Sequence, residues 1–272
     1  MLKISCLQPE VLQNRTDCHK EIEDILKIIV QNHNNCDLIC LPERWLPFSK
    51  NISKAIQTER GDDYNFIKNL AKDYNVNIIA GAIWEKRKNL HKPFITSYYF
   101  NNRGEEIGRQ DKIHLYAYER EIFDPGNELV IFQENKFSFA ILICFDIAFF
   151  ETPRLAAENG AQILFSPTQI REEGMENWEI YLKARALENR IPIVACNTLG
   201  KLFKRKFMGK SKIISFNEGY ISPAQLRVIE GPINSNGYAY DELDLKFTNK
   251  LRKLRLNQVI KKNTIKVRLL PY

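Results

Sequence analysis

The chain has 272 residues, of which 44% are hydrophobic and 27% charged, so it can bury a sizeable core, and disorder over most of its length is excluded. No run approaches 18 apolar residues, which excludes a membrane-spanning helix. The net charge is +7, but residues 245–272 hold six Lys, three Arg and no acid, so this stretch carries +9 and the remainder −2.

Residues 1–10 lack the apolar stretch and small-residue cleavage site of a signal peptide, and their alternation predicts a first strand. Thr16 and Asp17 are N-cap candidates for a helix whose stripe is Ile22, Ile25, Leu26 and Ile29. The apolar run Leu38–Leu41 predicts a buried strand stopped by Pro42. Phe66, Leu70 and Tyr74 recur every fourth residue, with Ile67 and Ala71 beside them, and predict a helix over 62–74; one strand follows over 77–84. Phe94–Phe100 and Glu105–Arg109 flank Asn101-Asn102-Arg103-Gly104 and predict a hairpin. Residues 110–128 are rich in charge and aromatics. The run 137–144 is the clearest buried strand. Thereafter a helix runs from near Pro153 to Asn159-Gly160, a strand over 161–165, a helix over 176–190, and strands over 191–196, 211–216 and 225–230. Nothing divides the chain into repeats or linker-joined halves. One α/β domain over 1–272, its sheet strands covered by helices, is the expectation, with 245–272 a basic C-terminal tail at a subunit contact.

Six cysteines stand at 6, 18, 36, 40, 144 and 196, with no CxxC pair, and read as reduced thiols in the cytoplasm. His33, Cys36 and Cys40 have loosely metal-like spacing. Successive residues of a strand point to opposite faces, however, and no second ligand pair accompanies them, so no metal site is assigned. Three other residues carry chemistry. Cys144 ends the apolar strand just before Phe145-Asp146, where a nucleophile projects from a rigid strand end and backbone N–H groups can face an oxyanion. Glu43 lies directly beyond another buried strand, where α/β proteins place their ligands. Lys112 lies in Asp111-Lys112-Ile113-His114-Leu115. Each alone reads equally as packing or solvated surface.

Taken in series, Glu43, Lys112 and Cys144 resemble the Glu-Lys-Cys triad of the nitrilase, or carbon–nitrogen hydrolase, superfamily. Pro42-Glu43 resembles its first-glutamate motif, Asp111–Leu115 its lysine motif, and Ile143-Cys144-Phe145-Asp146 with Phe149, Glu151, Leu155 and Gly160-Ala161 its cysteine motif. Glu119-Arg120, Phe123 and Pro125-Gly126 are similar to a second-glutamate segment. Trp178 followed by Ala184–Asn189 matches another signature, Gly209-Lys210-Ser211 and Tyr238–Asp244 resemble late strands, and Pro271-Tyr272 echoes a common terminus. The resemblance covers about residues 1 to 245. It implies a four-layer αββα sandwich paired as an αββα–αββα homodimer or higher homo-oligomer, acting without cofactor on a small-molecule amide and water, with no membrane partner.

The implied roles follow. Cys144 is the nucleophile, Glu43 the general base and acid, and Lys112 the oxyanion stabiliser together with the backbone N–H of Phe145. Glu119 orients Lys112 or the attacking water. Trp45, Tyr116, Tyr118, Thr168 and Gln169 are the candidates for the pocket lip. Phe145-Asp146 after the cysteine is closer to the amidase branches than to the nitrile-cleaving one, which implies a small linear amide or N-carbamoyl compound as substrate. Ala148-Phe149 stands where several amidase relatives carry Arg-Phe, so no single named substrate follows. Three alternatives stay open: nitrile hydrolysis, a histidine base at His114, and a relict site in a protein that binds an anionic partner or nucleic acid through the tail. Trp178, Tyr181, Leu182 and Arg185 share a helical stripe, and a partly buried Arg185 requires a carboxylate, Asp146 or Glu188.

Overall fold

A computed structural model describes residues 1–33, 36–49, 52–202, 204–260, 264–266 and 268–269. Pro271-Tyr272 lies outside the described residues. The first half supplies β1 (Leu2–Gln8), α1 (Arg15–Asn32), β2 (Leu38–Cys40), β3 (Gln57–Thr58), α2 (Asp62–Asp73), β4 (Asn77–Ile79), β5 (Ile83–Lys86), β6 (Phe94–Phe100), β7 (Glu106–Asp111) and α3 (Glu119–Ile122). The second supplies β8 (Ile131–Gln133), β9 (Ser138–Ile141), α4 (Glu151–Glu158), β10 (Ile163–Thr168), α5 (Met175–Asn189), β11 (Ile193–Asn197), β12 (Leu199–Leu202), β13 (Arg205–Met208), β14 (Lys212–Phe216), β15 (Leu226–Glu230), β16 (Gly237–Leu243) and α6 (Leu245–Leu256).

Two sheets result. One runs β16-β1-β2-β4-β6-β5-β3, with β7 also on β6; the other runs β15-β14-β11-β10-β9-β8. The strands β1, β2 and β4 are parallel, as are β9, β10 and β11. Strand alternation sorts the apolar side chains into three layers of core. Ile4, Cys6, Leu38 and Cys40 meet Phe139, Ile141, Phe165 and Cys196 between the sheets. Leu7, Ile39, Tyr98 and Phe100 point the other way, against the stripe Ile22, Ile25, Leu26 and Ile29 of α1 and against Ile67 and Leu70 of α2. Ala140, Leu164, Ile193 and Ala195 cover the opposite outer face under α4 and α5. The order of layers is thus helix, sheet, sheet, helix, as the resemblance implied.

The hairpin over 94–109 and the helices near 62–74, 153–159 and 176–190 are present. Three expectations change. The cap of α1 is Asn14, whose side chain accepts from the Asp17 amide at 2.9 Å. The strand over 77–84 is interrupted at Gly81, which has φ +67°; its two parts, β4 and β5, both lie along β6. The basic stretch from 245, assigned no element from sequence, begins as a helix: Asp244 caps α6 by accepting from the Lys246 amide at 2.8 Å, and Leu251 is buried in the core that α5 covers. No helix among the described residues is long and apolar enough to cross a membrane.

Candidate active site

The three chemical residues sit just beyond strand ends on one side of the sandwich. Glu43 follows β2, Lys112 follows β7 directly, and Cys144 follows β9. Each is fixed by backbone bonds. The Glu43 amide donates to the Thr168 carbonyl at 3.3 Å, and the next amide, of Arg44, donates to Thr198 Oγ1 at 3.2 Å. The Lys112 amide donates to the Ile95 carbonyl at 2.9 Å and its carbonyl accepts from Gly126 at 2.8 Å. Gly81 makes the Glu43 turn possible: a Cβ there would stand 2.1 Å from the Pro42 carbonyl oxygen.

Cys144 opens a single 3₁₀ turn, 144–148, with φ +48°, a conformation L-residues other than Asn and Asp rarely adopt. The turn is tied down by Asp146. Its Oδ2 accepts from the Ile143 amide at 2.9 Å, its Oδ1 accepts from the His114 amide at 2.6 Å, and His114 Nδ1 lies 3.0 Å from Oδ1. One buried carboxylate therefore braces the cysteine turn against the segment that carries Lys112.

The side chains converge. Lys112 Nζ lies 2.7 Å from Glu43 Oε1 and 2.8 Å from Glu119 Oε2, and Glu119 Oε2 accepts from the Tyr116 amide at 2.8 Å. Glu43, Lys112 and Glu119 are 4%, 1% and 5% exposed, so water screens these charges little. The Cys144 thiol meets the Glu43 carboxylate and the Gln169 backbone N–H. Burial, then the Glu43 charge, push the thiol well above its usual range, although Lys112 pulls the other way. Burial opposes the charge on Lys112, but Glu43, Cys144 and Glu119 outweigh it, and Lys112 stays an ammonium well past its ordinary value. Burial and the neighbouring Glu43 raise Glu119 despite Lys112.

These groups open onto a cavity of about 350 Å³. Of the residues expected at the lip, Tyr116, Tyr118 and Gln169 line it, and Phe145 lies beside them. Burial and the charges of Glu119 and Glu43 push the Tyr118 phenol up to about 12. Trp45 does not line it. Two residues past Glu43 the chain has turned into the outer core, where the Trp45 indole N–H donates to the Ala80 carbonyl at 2.8 Å. Thr168 is likewise no lip residue. Its hydroxyl donates to the Cys196 carbonyl at 2.9 Å and its own carbonyl holds the Glu43 amide, so it supports the base from behind. His114 is stacked on Phe149, ring centroids 4.1 Å apart, and paired with Asp146; it is not among the cavity's lining residues. Arg185 finds Glu188 at 3.0 Å and the carbonyls of Ile147 and Ala148, not Asp146. His33 stacks on Tyr240, and no metal-ligating cluster occurs among the described residues.

Sequence reasoning missed one wall of the cavity. The β12–β13 hairpin contributes Leu202, Arg205 and Phe207, and the segment after β10 contributes Arg171. The stretch 201–208 is weak as a strand signal because half of its residues are Lys and Arg.

Residues 3–252 match the carbon–nitrogen hydrolase family. The probable nitrilase C965.09 of Schizosaccharomyces pombe is 36% identical over 154 residues, 57% of this chain and 57% of that protein's length. The 2-oxoglutaramate amidase of Bacillus subtilis is 29% identical over 215 residues, 78% of this chain and 82% of its own. Among solved structures, Saccharomyces cerevisiae Nit3, a member of branch 10 of the nitrilase superfamily, superposes with a TM-score of 0.83 at 20% identity, covering 97% of each chain. On the fold, the buried Glu-Lys-Cys cluster and the family match together, the chain belongs to the carbon–nitrogen hydrolase family of the nitrilase superfamily.

Proposed function

We propose that the protein hydrolyses the carbon–nitrogen bond of a small linear amide or N-carbamoyl compound through a thioester on Cys144, releasing ammonia. The observation that carries this reading is the contact, in one cavity, between the Cys144 thiol, a buried carboxylate and a buried ammonium.

The electrostatics support concerted activation. The thiol is held protonated by burial and by the Glu43 charge, so no resting thiolate is stored. Glu43 instead takes the proton as sulfur attacks the carbonyl carbon. The carbonyl π pair moves to oxygen, and the oxyanion is stabilised by Lys112 Nζ and the Phe145 backbone N–H. Glu43 returns its proton to the nitrogen as the C–N bond breaks, and ammonia leaves. Water then attacks the thioester, Glu43 accepts a proton from it, and the carboxylic acid departs as Cys144 recovers its proton. Glu119 holds Lys112 in place throughout by two short contacts.

The same reading carries a homodimer or higher homo-oligomer in the cytoplasm. Leu155, Ile180 and Leu254, exposed on α4, α5 and α6, support a covered outer face, and α6 itself carries the basic residues Lys246, Lys250, Arg252, Lys253 and Arg255. All six cysteines are free, which fits a reducing compartment.

The test is ammonia release by purified protein from panels of linear amides, N-carbamoyl compounds and nitriles. Turnover of amides or carbamoyl compounds is expected. Release from nitriles alone would move the assignment to nitrile hydrolysis, which the name of the fission-yeast relative favours. No release, with salt-sensitive nucleic-acid binding, would make the site a relict.

A further inference from the structure

We infer that Arg87 is a positioning residue for Lys112: its guanidinium clamps Asp111, the neighbour of Lys112 in the chain, and so fixes where the ammonium meets the substrate oxygen. This rests on the hydrolytic reading and adds to it a residue that lies outside the cavity.

Strand β7 ends at Asp111, opposite Thr96 of β6. Strand ends fray unless something holds them. Arg87, one residue past β5, holds this one. Its Nη1 donates to Asp111 Oδ2 at 2.7 Å and its Nη2 to Asp111 Oδ1 at 2.5 Å, a two-pronged grip that resists rotation of the carboxylate. Nη2 also donates to Thr96 Oγ1 at 2.9 Å, and that hydroxyl donates to Asp111 Oδ1 at 2.8 Å. Nε donates to Glu85 Oε1 at 2.9 Å, and the guanidinium carbon lies 4.4 Å from the centre of the Phe94 ring. Arg87 is 9% exposed, so the pair is screened far less than one on the surface. Arg109 reaches Glu59 and, at 3.8 Å, Glu85. Among the described residues, Arg87 alone lies within salt-bridge distance of Asp111.

The clamp acts from the far side of the strand. Consecutive residues of an extended chain face opposite ways, so Asp111 turns toward Arg87 as Lys112 turns into the cavity, between Glu43 and Glu119 and near Cys144. The backbone has little slack. A Cβ on Gly126 would stand 2.8 Å from the Asp111 carbonyl oxygen, and the Gly126 amide donates to the Lys112 carbonyl. A rotation of Asp111 therefore moves the root of Lys112. Deleting an oxyanion donor costs about 10²–10³ in turnover, but a displaced lysine recovers part of that through its flexible stem, so a loss of about 5- to 50-fold is expected here.

The experiment compares Arg87→Gln, Asp111→Asn and Glu85→Gln in the full chain, each checked for a cooperative urea transition. Glu85→Gln removes the other carboxylate of Arg87 and leaves the grip on Asp111 in place, so it reports what loss of a buried ion pair does to the scaffold alone. Arg87→Gln and Asp111→Asn should each lower kcat for ammonia release about 5- to 50-fold with KM within about twofold, because the ammonium acts on charge that develops only in the transition state. The double variant should lose no more than the worse single one. Glu85→Gln should lose stability and keep kcat. Alkylation of Cys144 by iodoacetamide at pH 8 reads the same ammonium without any substrate, since Lys112 pulls the thiol down. It should slow about 3- to 10-fold in Arg87→Gln and Asp111→Asn, and not in Glu85→Gln. That pattern of alkylation, with no amide turned over by the wild-type protein, would uphold the inference and sink the hydrolytic reading. Amide turnover with wild-type kcat and alkylation in folded Asp111→Asn would overturn the inference and leave the hydrolytic reading standing. An equal fall of kcat in Glu85→Gln would overturn it as well, because the network would then act through stability. If Arg87→Gln does not fold, Asp111→Asn, which keeps the shape of its side chain, decides.

Discussion

Gly81→Ala tests how the fold holds the base. The mutated residue lies outside the cavity lining, yet a Cβ at 81 would fall 2.1 Å from the Pro42 carbonyl oxygen and 2.8 Å from Trp45 Cδ1. The carbonyl is backbone and cannot rotate away, and Trp45 is locked in the outer core by its bond to Ala80. To restore an ordinary contact of about 3.2 Å, the 42–43 turn must retreat by roughly 1 Å. A shift of that size at a catalytic group costs about 10²-fold in turnover. It also stretches the 2.7 Å contact between Glu43 and Lys112. Alanine at φ +67° adds about 1–2 kcal/mol of backbone strain, so with the clash a total loss of about 2–4 kcal/mol is expected. The assays are kcat for ammonia release and urea unfolding monitored by tryptophan fluorescence. A cooperative unfolding transition establishes that the variant is folded. A folded Gly81→Ala protein with wild-type kcat and stability would refute the argument that this glycine sets the position of Glu43.

Further outcomes follow from the same geometry. Glu43→Gln removes the charge that helps keep the thiol protonated while Lys112 remains, so the thiolate titration, read as absorbance at 240 nm against pH, should move to lower pH. Amide turnover in that variant should fall about 10²–10⁴-fold; an unmoved titration or full turnover would contradict the assigned role. Asp146→Asn keeps the shape but cannot accept from both the Ile143 and His114 amides on charged oxygens, so a loss of about 1–3 kcal/mol in urea unfolding and a lower kcat are expected. Stability should decline above pH 9. The Cys144, Cys40 and Cys196 thiols are raised by burial, and Cys36 is pushed up to about 12. A raised folded value means stability that is present below the unfolded value near 9 and lost as pH rises toward the folded one. Lys112, raised by its two carboxylates, adds loss in the same direction above its ordinary 10.5. Urea midpoints between pH 7 and 11 measure this, and a flat profile would contradict it.

Much of this was legible in the chain because strand ends leave a local signal. Leu38–Leu41 before Pro42-Glu43, and 137–143 before Cys144, are apolar runs that stop at a polar residue, and both stop at the cavity. What the sequence hides is long-range. Trp45 is two residues from Glu43, and only the turn over Gly81 decides that its ring enters the outer core instead of the pocket. Thr168 reads as a lip residue after a buried strand, but it pairs in register with Asn197 inside the sheet. Asp146 looks like a partner for Arg185 on charge alone. Its actual partners are two backbone amides and His114, which no side-chain pattern announces. The β12–β13 hairpin escapes for a different reason: half of residues 201–208 are lysine or arginine, whose strand preference is low, and its pairing is tertiary context.

The most direct measurement is the mass of the protein quenched during steady-state turnover of an amide. The mechanism requires an adduct equal to the amide less ammonia, located by peptide mapping on Cys144 and released by hydroxylamine as a thioester. An unmodified Cys144 under conditions where turnover proceeds and an acyl-enzyme would accumulate, or an acyl group on any other residue, would contradict it.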